Sequence, residues 1–160
     1  VISAVDLTKG LGICAGLEVV NVPGATGNIT TDFRGKARAA LEEIRNGRDF
    51  VYIHIEAPDE AGHRGELETK IRAIEEIDEK VVGEVLRGLE GLGDYKILLM
   101  PDHPTPISKR THTAEEVPYV IYRSYRRLEG AESYNEETAR RSAHRFPQGH
   151  LLMDHYIKGD

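Results

Sequence analysis

Three short segments carry the residue types best suited to chemistry, and each begins where a strand is predicted to end. The first is His54-Ile55-Glu56-Ala57-Pro58-Asp59-Glu60-Ala61-Gly62-His63, with Asp59 and His63 four apart. The second is Met100-Pro101-Asp102-His103-Pro104-Thr105-Pro106, in which an adjacent Asp-His pair sits between prolines. The third is Thr111-His112-Thr113, in the stretch that leads to Pro118. Open α/β sheets bind ligands at the carboxyl ends of their strands, so all three could meet at one edge. That would gather the carboxylates of Asp59 and Asp102 with the imidazoles of His63, His103 and His112. Such a mixed set suits a borderline divalent cation such as Zn²⁺, Mn²⁺ or Fe²⁺. Mg²⁺ and Ca²⁺ prefer all-oxygen shells, so the histidines argue against them.

Either pattern alone is common in chains that bind nothing; the coincidence of three gives the reading its weight. Neighbours in an extended segment point to opposite sides, so Asp102 and His103 could serve two ions only from an irregular turn. Pro101 and Pro104 would hold such a turn. His54 lies inside a predicted strand and reads as a satisfied core or supporting residue rather than a ligand. His144, His150 and His155 lie outside the pattern and read as surface or packing residues.

The elements that must position these residues alternate between strand and helix, the signature of an α/β sheet. Leu17–Val22 predicts a strand closed by Pro23-Gly24, and Lys36–Arg45 a helix ended by Asn46-Gly47. Phe50–Ile55 and Lys96–Met100 predict central strands of a largely parallel sheet, because a long helical crossover separates two continuous apolar runs. In that crossover Leu67, Ile71, Ile74, Ile77, Val81 and Val85 form one apolar stripe. Its charged residues, with Glu66 and Lys70 four apart, read as a solvated face. Tyr119–Tyr122 predicts another strand, 136–143 a short helix, and Gly149–Lys158 a terminal helix with Leu151, Leu152, His155 and Tyr156 on one face.

With 160 residues, 39% apolar and 30% charged, the chain fits one soluble domain. A net charge of −6 argues against nucleic acid or an anionic membrane as partner. No apolar run approaches the roughly 20 residues of a membrane span. The lone Cys14 excludes an internal disulfide, suits a reducing cytoplasm, and reads as a buried inert thiol among Leu11, Ile13 and Leu17. No signal-peptide pattern precedes it. The first residues, Val1 to Val5, already read as structure, which fits either a mature N-terminus or a cut inside a larger fold.

Several strings match a known pattern in order along nearly the whole chain. They are Ile2-Ser3-Ala4-Val5-Asp6-Leu7-Thr8-Lys9-Gly10, Val22-Pro23-Gly24-Ala25-Thr26-Gly27, HIEAPDEAGHRG from His54 to Gly65, and KIRAIEEID from Lys70 to Asp78. With Asp102-His103-Pro104-Thr105-Pro106 and the His112–Pro118 stretch, they resemble the cofactor-independent phosphoglycerate mutases of archaeal type, in the alkaline-phosphatase superfamily. The resemblance implies an alkaline-phosphatase-like α/β fold, of which residues 1–160 are the C-terminal part. The N-terminal part and the inserted substrate domain would lie in the rest of a longer parent chain. It implies one metal held by Asp59, His63 and His112, and a second to which Asp102 and His103 contribute. Two Mn²⁺ or Zn²⁺ ions would serve, with no bisphosphoglycerate, and a lysine at the place of Lys9 would hold substrate phosphate. The second metal also needs an Asp and the nucleophilic Ser, both from the family's N-terminal part.

The implied reaction interconverts 3-phosphoglycerate and 2-phosphoglycerate through a phosphoserine, on a small phosphorylated substrate in the cytoplasm. The isolated 160 residues are expected to be inactive. Departures from the family pattern are Pro101 and Pro104 around the Asp-His pair, and Glu115-Glu116 where Asp-Pro is common. A homoserine kinase-like phosphotransferase is the alternative within the family. Against it, Gly24-Ala25-Thr26-Gly27 lacks the lysine of a nucleotide-binding loop. A non-catalytic metal-binding module is the alternative outside it.

Overall fold

The computed structural model describes residues 1–126 and 128–159. The chain divides into two compact units, Val1–Gly93 with Thr105–His112, and Asp94–Pro104 with Thr113–Asp160.

The first unit is helical. Helix α1 spans Asp6–Cys14, α2 Phe33–Arg45, α3 Ala57–Arg64, α4 Leu67–Ile77 and α5 Gly83–Leu89. Helix α2 starts three residues before the apolar periodicity because Asp32 caps it, its carboxylate accepting from Gly35 N–H at 2.8 Å. Its core joins Phe33 and Ala37 of α2 to Ala57, Ala73 and Val81, with Ile53, Ile55, Ile77 and Val85 packed against them.

The run from Leu67 to Leu89 is not one uniform helix. A π-helical turn, Asp78–Val82, joins α4 to α5. Its extra residue rotates everything downstream by about 100° relative to a continuous α-helix. That rotation brings Val81 and Val85 into line with Ala73 and Ile77, which form the buried face. Leu67, Ile71 and Ile74, predicted to share the stripe, stay exposed. Lys70 is not part of a solvated face either: its ammonium donates to the Thr105 carbonyl at 2.6 Å.

The predicted sheet is corrected. Among the described residues the one sheet is two-stranded and antiparallel, β1 Lys96–Leu99 against β2 Val120–Arg123, with Lys96 opposite Arg123 and Leu99 opposite Val120. It lies in the second unit. Phe50–Ile55 forms no ladder; its one contact of this kind is a parallel bridge between Ile53 and Ile2. Ile2 N–H donates to Tyr52 O and His54 N–H to Ile2 O, both at 2.8 Å. On the other side of the same segment the Val1 ammonium donates to Glu18 O at 2.6 Å and Val20 N–H to Val1 O at 2.9 Å. These pairs follow the parallel pattern. They extend no further because Ser3 Oγ accepts from Val5 N–H at 3.0 Å and α1 begins at Asp6. For the same reason Leu17–Val22 forms no strand.

Cys14 is exposed, not buried. Helix α1 turns only Gly12 inward, and Leu7, Leu11 and Ile13 are exposed with the thiol.

In the second unit α6 is Glu136–Arg141, and a 3₁₀ turn, Gly149–Leu151, leads into α7, Leu152–Lys158. Leu152 is the buried residue of α7, and Leu151 and His155 of the predicted face are exposed. The helix is tied to β1 in both directions. Tyr156 Oη donates to Lys96 O at 2.8 Å, and Lys96 Nζ donates to Gly159 O at 2.6 Å. No described helix is long and apolar enough to cross a membrane.

Candidate metal centre

Helix α3 presents Asp59 and His63 on one face because they are four residues apart. Pro58 stands in its first turn, where a missing N–H costs nothing, and Gly65 ends it in the left-handed conformation at φ 72°. Both ends are therefore set by residues visible in the sequence.

The segment Thr105–His112 packs against this helix within the same unit. His112 Nε2 lies 3.3 Å from Asp59 Oδ1, His63 Nε2 lies 3.4 Å from the same oxygen, and the two Nε2 atoms are 3.0 Å apart. The imidazole rings are 4.9 Å apart between centroids and inclined at 51°. Three ligand-type atoms thus form a small triangle. An ion bound tetrahedrally at about 2.0–2.1 Å has ligand–ligand edges of about 3.3–3.4 Å. The triangle matches that dimension, and an Asp-His-His set matches the chemistry of Zn²⁺-like ions.

Proton placement supports the same fit. His63 Nδ1 lies 3.0 Å from the Arg110 carbonyl oxygen, which can only accept. Nδ1 therefore carries the hydrogen, and in the neutral ring Nε2 offers a lone pair toward Asp59 and His112. A histidine whose second nitrogen donates to a backbone carbonyl is the usual arrangement of a metal-ligating imidazole.

Asp102 and His103 belong to the second unit. They occupy a bend after β1, so their side chains are not thrown to opposite sides. His103 Nε2 lies 3.5 Å from Asp102 Oδ2, and His103 N–H donates to Asp102 Oδ1 at 3.1 Å. Lys9 stands on α1 with its ammonium 3.6 Å from Asp6 Oδ1. His144, His150 and His155 are exposed.

Behind α3 lies a buried charged network. Lys36 is fully buried; its ammonium donates to His54 O at 3.1 Å and sits 3.7 Å from Glu56 Oε2. Glu56 Oε1 is 2.8 Å from His54 Nδ1 and accepts from Ser3 Oγ at 3.0 Å. Burial opposes ionisation of Glu56, but the His54 hydrogen bond and the Lys36 charge outweigh it and hold the carboxyl at about 2. Burial pulls the Lys36 ammonium below its usual range, against the raising effect of Glu56. His54 is thus a satisfied interior residue, and Glu56, Lys36 and Ser3 are polar residues that sequence reasoning did not single out. It also missed Thr105, whose hydroxyl donates to Asp59 Oδ1. The prolines on either side of Thr105 were the available signal.

A family model described as the metalloenzyme superfamily matches residues 1–153. The "Probable 2,3-bisphosphoglycerate-independent phosphoglycerate mutase" of Geobacter sulfurreducens is 50% identical over 155 residues, covering 96% of this chain and 39% of that protein. The "2,3-bisphosphoglycerate-independent phosphoglycerate mutase" of Methanothrix thermoacetophila is 51% identical over 160 residues, covering 99% of this chain and 41% of that protein. The solved structure of the PH0037 protein from Pyrococcus horikoshii superposes with a TM-score of 0.78 at 31% identity, over 86% of this chain and 41% of that one. The chain therefore spans about two-fifths of the length of the relatives it matches. With an α/β structure and a match over nearly its whole length, the chain belongs to the metalloenzyme superfamily.

Proposed function

We propose that this chain supplies metal-binding residues of a phosphoglycerate mutase that interconverts 3-phosphoglycerate and 2-phosphoglycerate without a bisphosphate cofactor. The observation that carries the reading is the triangle of Asp59 Oδ1, His63 Nε2 and His112 Nε2, in a chain whose relatives bear that name.

In this reading Asp59, His63 and His112 hold one divalent ion, Mn²⁺ or Zn²⁺, and Asp102 and His103 contribute to a second. When bound, such ions activate an oxygen nucleophile and neutralise charge on a phosphoryl group in transfer. The chain's own part is to hold and orient. Helix α3 fixes the spacing of Asp59 and His63, Arg110 O fixes the tautomer of His63, and Lys9 is the candidate for contact with substrate phosphate. The nucleophilic serine, the remaining ligands and the substrate-gripping domain belong to the rest of the whole protein, which works in the cytoplasm on a small phosphorylated acid. The names of the relatives favour a mutase over a kinase-like phosphotransferase.

The test is interconversion of the two phosphoglycerates by the whole protein with Mn²⁺, with and without chelator. Asp59→Asn and His112→Ala should each abolish turnover, and ATP should not be required. The 160-residue polypeptide alone should show no turnover, because it carries part of the metal clamp and not the nucleophile. Full activity after removal of Asp59 and His112 would end the proposal.

A further inference from the structure

Asp59 has a partner that the metal-centre reading does not use. Thr105 is buried at 4% exposure, and its hydroxyl donates to Asp59 Oδ1, the oxygen that faces both histidines. Two further contacts and the residue that follows hold Thr105 in place. Its carbonyl accepts from Lys70 Nζ at 2.6 Å. It lies against Gly62 so closely that a Cβ there would stand 2.6 Å from Thr105 O and 3.0 Å from Thr105 Cγ2. Pro106 follows it and confines its backbone to extended conformations.

The geometry points to Thr105 as a positioning residue: it fixes which lone pair of Asp59 Oδ1 faces the His63–His112 pair. The physical reason is a matter of degrees of freedom. A carboxylate on a helix can rotate about its terminal torsion, which is broad and roughly two-fold. One hydrogen bond from a stationary donor removes that freedom before an ion arrives. Threonine suits the task because a β-branched side chain is stiff at χ1. With Cγ2 seated on Gly62, Oγ1 has one direction left, toward Asp59. The donor leaves the oxygen's remaining lone pair for an ion, whereas an ammonium in its place would compete with the ion's charge.

Segment Thr105–His112 thereby acts three times on one centre. It provides His112, orients His63 through Arg110 O, and orients Asp59 through Thr105. The first two roles follow from the candidate centre itself; the third rests on that reading and adds a residue to it.

The experiment titrates the 160-residue chain with Co²⁺, reading affinity by calorimetry and ligand geometry by the visible absorption of the bound ion. Thr105→Val should weaken binding by roughly 10–100-fold, the usual effect of losing a hydrogen bond to a ligand. It should also alter the absorption bands, with the melting temperature of the ion-free chain unchanged. Thr105→Ser, which restores the hydroxyl, should recover both affinity and spectrum. Should valine unfold the segment, Thr105→Ser against Thr105→Ala carries the same comparison, since the two differ by the hydroxyl oxygen alone. Co²⁺ binding that is lost in Asp59→Asn but equal in the Ser and Ala variants would overturn the role of Thr105 and leave the metal centre standing. Absence of Co²⁺ binding in the unsubstituted chain, with Asp59→Asn indistinguishable from it, would overturn the metal centre and the role of Thr105 with it.

Discussion

The carbonyl oxygen of Arg110 faces His63 Nδ1 at 3.0 Å, and Arg110 alone among the described non-glycine residues has a positive φ, 55°. A side chain in this left-handed region costs about 1–2 kcal/mol. The turn that contains it is closed by Arg110 N–H donating to Pro106 O at 2.9 Å. The backbone, not the guanidinium, therefore serves the candidate centre. Arg110→Gly should keep ion affinity and leave the melting temperature equal or higher. Arg110→Pro removes the donor and forbids the positive φ, so it should abolish binding in the same calorimetric titration.

In the proposed centre each apex of the Asp59–His63–His112 triangle would supply one of three protein ligands. Loss of a ligand should exceed the roughly 10–100-fold effect of losing a supporting hydrogen bond. His112→Ala, at a half-exposed loop position, should do this with little change in denaturant midpoint. A His112→Ala chain that binds Zn²⁺ or Mn²⁺ as tightly as its parent would remove His112 from the set.

Lys36 and Glu56 form a buried ion pair, with relative side-chain exposures of 0% and 7%. Removing one member strands the other's charge in the interior, which typically costs about 3–5 kcal/mol. Lys36→Met should therefore lower the urea midpoint markedly. Replacing both residues by apolar ones of similar volume should recover much of the loss, as a double-mutant cycle in urea would show.

Glu56 also sets an acid limit on stability. Its carboxyl ionises at about 2 in the folded chain against an ordinary value of 4.5. The depressed value means that the unfolded chain binds the proton more readily, so the contribution is complete above pH 4.5 and is lost as pH falls toward 2. The difference corresponds to about 3 kcal/mol. Unfolding free energies measured from pH 6 down to pH 2 should fall steeply in that window. Glu56→Gln should flatten that part of the profile.

Gly62 lets the Thr105 carbonyl approach α3 directly. Gly62→Ala places a methyl group where the backbone oxygen already sits, an overpacking that costs about 1–3 kcal/mol. Because relief requires α3 and Thr105–His112 to separate, the variant should lose ion affinity along with melting temperature. Thermal melting and Co²⁺ titration of one preparation would check both.

How much was legible follows from the range of the interactions involved. Elements whose causes lie within a few residues were partly readable in the amino-acid order. β1 is the apolar run before Pro101 and α2 follows its apolar periodicity, whereas helix α3 was not read from the sequence, although Pro58 and Gly65 bound it. The resemblance, carried by HIEAPDEAGHRG and the later strings, named candidate ligands, and the structure draws Asp59, His63 and His112 to within 3.4 Å of one another. Features that depend on packing emerged with the folded chain. The π turn at Asp78–Val82 redirects Val81 and Val85 inward and leaves Leu67, Ile71 and Ile74 outside, and no periodicity in the sequence reports an inserted residue. The expected parallel pairing failed too, because an apolar run does not specify its neighbour. β1 met Val120–Arg123 antiparallel, while Phe50–Ile55 kept one parallel bridge. Thr105, Lys70 and the Arg110 carbonyl gained their roles from hydrogen bonds spanning 35 to 47 residues. Contacts of that length form only when the chain has folded, because no local pattern brings a hydroxyl near a carboxylate so far away in sequence.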